Sequence, residues 1–179
     1  MILRASGLSL TAGLAVLAVT SSVALAHVTL ETGEAPANST YKAVLRVGHG
    51  CDGKPTKSLR VKIPEGVIAA KPMPKPGWQL AVTKGRYGKA YDYFGTPTSE
   101  GATEIAWTGG DLSDDWYEEF VFRARLTGFP AGTVVYFPVV QECAEGAVHR
   151  WIEIPAAGKS PDDYEEPAPG VTIVDKPAP

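Results

Sequence analysis

Three histidines and two cysteines supply most of the coordination chemistry open to this chain: His27, His49, His149, Cys51 and Cys143. His27 stands out by position. It follows Val23-Ala24-Leu25-Ala26, in which Ala24-x-Ala26 reads as a signal-peptidase site. Cleavage after Ala26 would make His27 the first residue of the mature chain. Its free α-amine and its imidazole Nδ1 could then close a chelate ring on one metal ion. His49 lies in Gly48-His49-Gly50-Cys51-Asp52-Gly53, a glycine-flanked turn just after a predicted strand. A histidine on such a rigidly held loop can reach a ligand. His149 shares a strand face with Trp151 and Glu153 and reads as an edge-exposed polar residue.

A terminal amine, an imidazole and one further N or O donor suit Cu(II), which favours tetragonal N,O coordination. Zn(II) would accept similar donors. Met73 is the one methionine beyond Ala26, and no Cys-x-x-Cys occurs, so a thioether or dithiol carrier of Cu(I) is not indicated. Cys51 and Cys143 form an even pair, most simply a disulfide in an exported chain. It would close a loop of about 90 residues, contributing about 2–4 kcal/mol on the chain-entropy account. Thiolate ligation is the alternative. Enzyme signatures are thin: there is no Gly-x-Ser-x-Gly, phosphate loop or paired-histidine helix motif. Asp114-Asp115 and Glu118-Glu119 around Trp116-Tyr117 read as a solvated acidic face. The chain is therefore expected to bind rather than catalyse.

The elements that must position these groups start with an expected leader over residues 1–26. Arg4 gives it a basic start, Leu8 to Val19 an apolar stretch, and no acid precedes Glu31. That stretch is shorter than the ~20 residues of a spanning helix. The mature chain would hold about 150 residues, enough for one domain with a core. Removing Arg4 leaves 16 basic against 20 acidic side chains, a formal charge of −4. With no Lys/Arg run, a nucleic-acid or anionic-membrane partner is not expected. No second long apolar segment follows, so no membrane anchor is expected in the mature protein.

Period-two alternation recurs through the mature sequence. It is seen at Tyr41-Ala43-Leu45-Val47, Leu59-Val61-Ile63, Trp78-Leu80-Val82, Ile105-Trp107 and Phe120-Phe122-Ala124-Leu126, and again at Val148-Arg150-Ile152-Ile154. Val134 to Val140 is a continuous apolar run, predicted as one strand buried on both faces. Turn formers intervene at Gly48-His49-Gly50, Pro64-Glu65-Gly66, Lys84-Gly85, Gly109-Gly110-Asp111 and Phe129-Pro130-Ala131-Gly132. The pattern predicts an all-β, two-sheet antiparallel β-sandwich (Ig/cupredoxin-like) over residues 27–157. Residues 158–179, acidic and Pro-rich, are predicted to form a flexible C-terminal tail.

Stretches along the whole of this region resemble the YcnI-like family (DUF1775). They are His27-Val28-Thr29-Leu30, Tyr41 to Val47, Gly48-His49-Gly50-Cys51-Asp52-Gly53, Val61 to Val67 and Lys75-Pro76-Gly77-Trp78. Glu119-Phe120-Val121-Phe122-Arg123, Tyr136 to Gln141 and Arg150-Trp151-Ile152-Glu153-Ile154-Pro155 follow in order. The resemblance implies an exported β-sandwich of copper homeostasis that binds Cu(II) through a brace made by a single amino-terminal histidine, here His27. It implies a site tryptophan, here Trp151, and a periplasmic copper chaperone as companion. Family members from Gram-positive bacteria supply a glutamate ligand just after the early strand and carry a C-terminal anchor. Val47-Gly48-His49-Gly50 holds no glutamate, and no such anchor is expected here. His49, with Asp52 behind it, is the natural substitute ligand, and the Cys51/Cys143 pair fits a soluble periplasmic form. Two other readings use the same residues: a copper oxygenase with a two-histidine brace completed by His49, and a metal-free interaction module of the cell envelope.

Overall fold

Alternating side chains along β3 (Thr40–Val47) and β8 (Glu118–Leu126) sort between core and solvent, except that the outward pair Val44 and Val121 is buried as well. Tyr41, Ala43, Leu45 and Val47 are buried on one strand, and Phe120, Phe122, Ala124 and Leu126 on the other. The two pair antiparallel over their full length, from Thr40 opposite Arg125 to Val47 opposite Glu118. These relations come from a computed structural model that describes residues 27–176. The expected leader, residues 1–26, lies outside the described residues.

With β1 (Thr29–Leu30) and β5 (Val67–Pro72), these strands form a four-stranded sheet in the order β1-β3-β8-β5. The facing sheet has β4 (Thr56–Lys62), β6 (Gln79–Tyr93), β7 (Thr96–Leu112), β10 (Val139–Cys143) and β11 (Val148–Trp151). Its order is β11-β10-β4-β7-β6. Leu59, Val61, Ile105, Trp107 and Val139 meet the phenylalanines of β8 in one core. Trp107 and Phe120 are in edge-to-face contact at 5.5 Å, an arrangement aromatic pairs favour. The protein is thus an all-β sandwich, as its alternation predicts.

A third, smaller sheet departs from the expected plan. β2 (Glu34–Pro36), β12 (Gly170–Val174) and β9 (Val134–Tyr136) lie in the order β2-β12-β9, with β12 parallel to β2 and antiparallel to β9. Val171 and Ile173 are wholly buried. The expectation of a flexible tail from residue 158 is therefore corrected: this segment returns and completes the sandwich. Val171-Thr172-Ile173-Val174 is a β-branched run, and its burial offsets the acidic, Pro-rich stretch before it. Gly170 allows the approach, since a Cβ there would stand 2.8 Å from Val134 Cγ1.

Other boundaries shift for identifiable reasons. Val134 to Val140 is two strands, not one. Pro138 has no N–H to give a ladder, and the chain changes sheets at Phe137-Pro138. Lys84-Gly85 and Gly109-Gly110 are not turns; they lie within the long hairpin β6–β7. Gly110 is needed for packing there, because a Cβ would stand 2.2 Å from the Trp78 ring. On the last predicted strand the faces are reversed. Val148, Ile152 and Ile154 are exposed, and the face bearing His149 and Trp151 turns inward. Trp151 carries the largest apolar surface of any single side chain in this segment, and its burial goes with the inward turn of that face.

Candidate functional site

His27 enters the sandwich just before the edge strand β1. The segment is fixed from both sides. Buried Val28 anchors the step into β1, whose Thr29 and Leu30 pair with Arg46 and Leu45 of β3. After β1, the Tyr41 hydroxyl donates to the Thr32 carbonyl at 2.6 Å. Burial, with a smaller push from Glu31, raises the Tyr41 pKa to about 12, so this donor keeps its proton across the ordinary pH range. His27 is half-buried, in a depression of about 260 Å³ that the C-terminal segment also lines through Pro161, Asp162, Pro167 and Gly170.

Trp151 is the centre of the arrangement. It is buried at the end of β11, with its ring 5.4 Å from that of His27 and 4.9 Å from that of His149. The His149 ring in turn lies 6.0 Å from the His49 ring, edge to face. Two histidines therefore flank one indole and the third, His49, joins them through His149, although the sequence separates all three widely. Sequence reasoning placed Trp151 here but assigned His149 to an exposed edge. Two further members were also missed. Gln141, only 1 % exposed, accepts from Trp151 Nε1 at 3.1 Å through Oε1. Its Nε2 donates to the His49 carbonyl and to Thr56 Oγ1, each at 2.8 Å. This buried amide thus satisfies its donors while tying the indole to the His49 turn. Glu166 is the other. Its carboxylate faces His149 Nδ1 at 2.8 Å and accepts from the Arg150 N–H at 3.1 Å.

The tautomers follow from these partners. A carbonyl can only accept, so His49 Nδ1 donates to the Gly50 carbonyl. His149 Nδ1 likewise gives its hydrogen to the Glu166 carboxylate. In the neutral rings the lone pair then sits on Nε2, as it does in histidines whose other nitrogen is held by a second residue for metal ligation.

The His49 turn is constrained on every side. Gly50 donates to Asp114 Oδ1 at 2.9 Å, and Cys51 exchanges backbone hydrogen bonds with Lys54 at 3.0 Å. A Cβ on Gly50 would stand 1.8 Å from the Lys54 carbonyl oxygen, so only glycine fits. Cys51 and Cys143 are disulfide-bonded, with Cα atoms 5.9 Å apart, and neither is left as a thiolate. Asp52, expected behind His49 among the metal ligands, is exposed at the tip of this turn with φ of 51°. Among the described residues it makes no side-chain hydrogen bond or ion pair. The carboxylate that touches the His49 turn is Asp114.

Among the described residues no group of three or more His, Cys, Asp or Glu side chains is arranged to close on a metal ion.

An immunoglobulin-like β-sandwich with two histidines against one buried indole and a third beside them is the class of protein that this fold and site define. The profile of the family described as a domain of unknown function, DUF1775, matches residues 27–173, and the chain belongs to that family. It is similar to an uncharacterized protein from Nocardia farcinica whose crystal structure reveals an immunoglobulin-like fold. The two are 25 % identical, with a TM-score of 0.62 over 83 % of this chain and 98 % of that one. No curated protein matches the chain.

Proposed function

We propose that this chain, exported and cut to begin at His27, binds Cu(II) in the periplasm as a copper-homeostasis protein rather than as an enzyme. The observation that carries the reading is the run of ring contacts from His27 to Trp151, from Trp151 to His149 and from His149 to His49. The donors would be the α-amine and Nδ1 of His27, completed by Nε2 of His49 or His149. Such a nitrogen-rich set suits Cu(II) over harder cations. The indole would wall the site on one side. The disulfide fits an oxidising compartment. Delivery to or from a periplasmic copper chaperone is the natural use of a site at a chain terminus.

The test is Cu(II) titration with electron paramagnetic resonance on protein beginning at His27. A version with one extra residue before His27 is the control. The processed protein should give a one-to-one, nitrogen-rich signal that weakens as pH falls, because amine and imidazole must both be deprotonated. The extended protein, whose amine has become an amide, should lose it. Equal signals from both versions would remove the terminal chelate from consideration.

Glu166 gives a second check. Loss of a carboxylate behind a metal-binding histidine lowers affinity by about 10–100-fold. Glu166→Gln should therefore weaken Cu(II) binding by about tenfold if His149 is the completing ligand. Unchanged affinity in Glu166→Gln, with a loss in His49→Ala, would assign that place to His49.

A further inference from the structure

The outer face of the four-stranded sheet carries a charge arrangement that the linear sequence conceals. Lys42 on β3 pairs directly with Arg123 on β8, and Arg123 pairs directly with Lys71 on β5. Three cations thus stand side by side across three adjacent strands, at steps of about 4.8 Å. All three are exposed. Among the described residues none of them has an ion-pair partner. Arg125, two residues along β8, extends the group. Its guanidinium lies over the Phe94 ring at 4.6 Å, and its buried Nε has no hydrogen-bond partner. Like charges in direct cross-strand register destabilise a sheet. Here they collect on a chain whose formal charge is −3 overall.

Apolar side chains flank the cations. The Met73 N–H donates to the Val121 carbonyl, continuing β5 beside β8, and Met73 is 53 % exposed. On the other side Phe94, at the β6–β7 turn, is 66 % exposed. Cations interspersed with protruding apolar side chains on one face match a surface that is both anionic and greasy. We propose that this face docks on an anionic lipid bilayer, with Lys42, Lys71, Arg123 and Arg125 on the headgroup phosphates and with Met73 and Phe94 entering the interface. The fit rests on charge complementarity and on the exposed apolar pair, which an acidic peptide in solution would not require. It is independent of metal binding.

Vesicle sedimentation tests it, using protein beginning at His27. Phosphatidylglycerol-rich vesicles should pull the protein down at low salt, and phosphatidylcholine vesicles should not. Binding should fade as salt shortens the Debye length below about 10 Å. Each cation near an anionic bilayer is worth about fivefold in partition. The triple variant Lys42→Gln/Lys71→Gln/Arg123→Gln should therefore bind about a hundredfold more weakly. It should melt no lower than the parent, since it relieves like-charge repulsion. A control, Lys62→Gln/Lys159→Gln/Lys176→Gln, removes the same charge from exposed sites elsewhere and should keep binding. Equal binding by the two triple variants, equal binding to both vesicle types, or capture by soluble polyglutamate without vesicle binding would each overturn the proposal.

Discussion

Ile173→Ala should lower unfolding stability by about 2–5 kcal/mol, the cost of emptying a packed aliphatic site. Equilibrium urea denaturation followed by tryptophan fluorescence would read it. A side chain in a solvated tail would change stability by no more than about 0.5 kcal/mol, so the two descriptions of the C-terminal segment are well separated. The larger number follows from what β12 does. Ile173 and Val171 are wholly buried, and their backbone joins β2 on one side and β9 on the other. Fully burying each contributes about 1.5–3 kcal/mol. A chain ended at Gly158 would lose both, together with the backbone partners of Gly132 and Ala37. Against a typical total of about 5–15 kcal/mol, such a truncation should leave little cooperative unfolding. It would also remove Glu166 from His149. The same segment therefore supports the core and the candidate site.

That coupling explains which parts of the protein could be read from its sequence. The alternation on β3, β4 and β8 reports burial directly, because each of these strands has one face in the core and the period is local. His27 was legible from the cleavage pattern, and the cysteine pair from parity and context. β12 was not, because its burial depends on β2 and β9, more than thirty residues away on either count. The Val171 to Val174 run was present, but the acidic residues before it dominated the composition. His149 was assigned to an exposed edge because its partner, Glu166, lies in that same segment. Gln141 reads as a lone polar residue in an apolar strand. Its meaning appears only when the His49 carbonyl and the Trp151 indole meet it from different elements. The cation row is the clearest case. Lys42, Lys71 and Arg123 are never neighbours in sequence, and cross-strand register alone assembles them.

The Cys51→Ser/Cys143→Ser variant should lose about 2–4 kcal/mol of stability, from release of a loop of about 90 residues in the unfolded chain. A lowered urea midpoint, with a slope no smaller than the parent's because the released unfolded chain exposes more surface, would show it. The effect on the candidate site should be much smaller. The bridge joins the His49 turn to the end of β10, but the same two segments are joined again beside it. Gln141 Nε2 holds the His49 carbonyl, and Asp114 holds the Gly50 N–H from the loop after β7. Both cysteines are buried, at 1 % and 6 % exposure, and a serine in each place keeps the turn's backbone hydrogen bonds to Lys54. One-to-one Cu(II) binding should therefore survive at temperatures where the variant remains folded. A collapse of copper affinity in folded variant would show that the covalent bridge, rather than the Gln141 network, sets the place of His49. Copper affinity retained alongside reduced stability would assign the disulfide to the scaffold and Gln141 to the site.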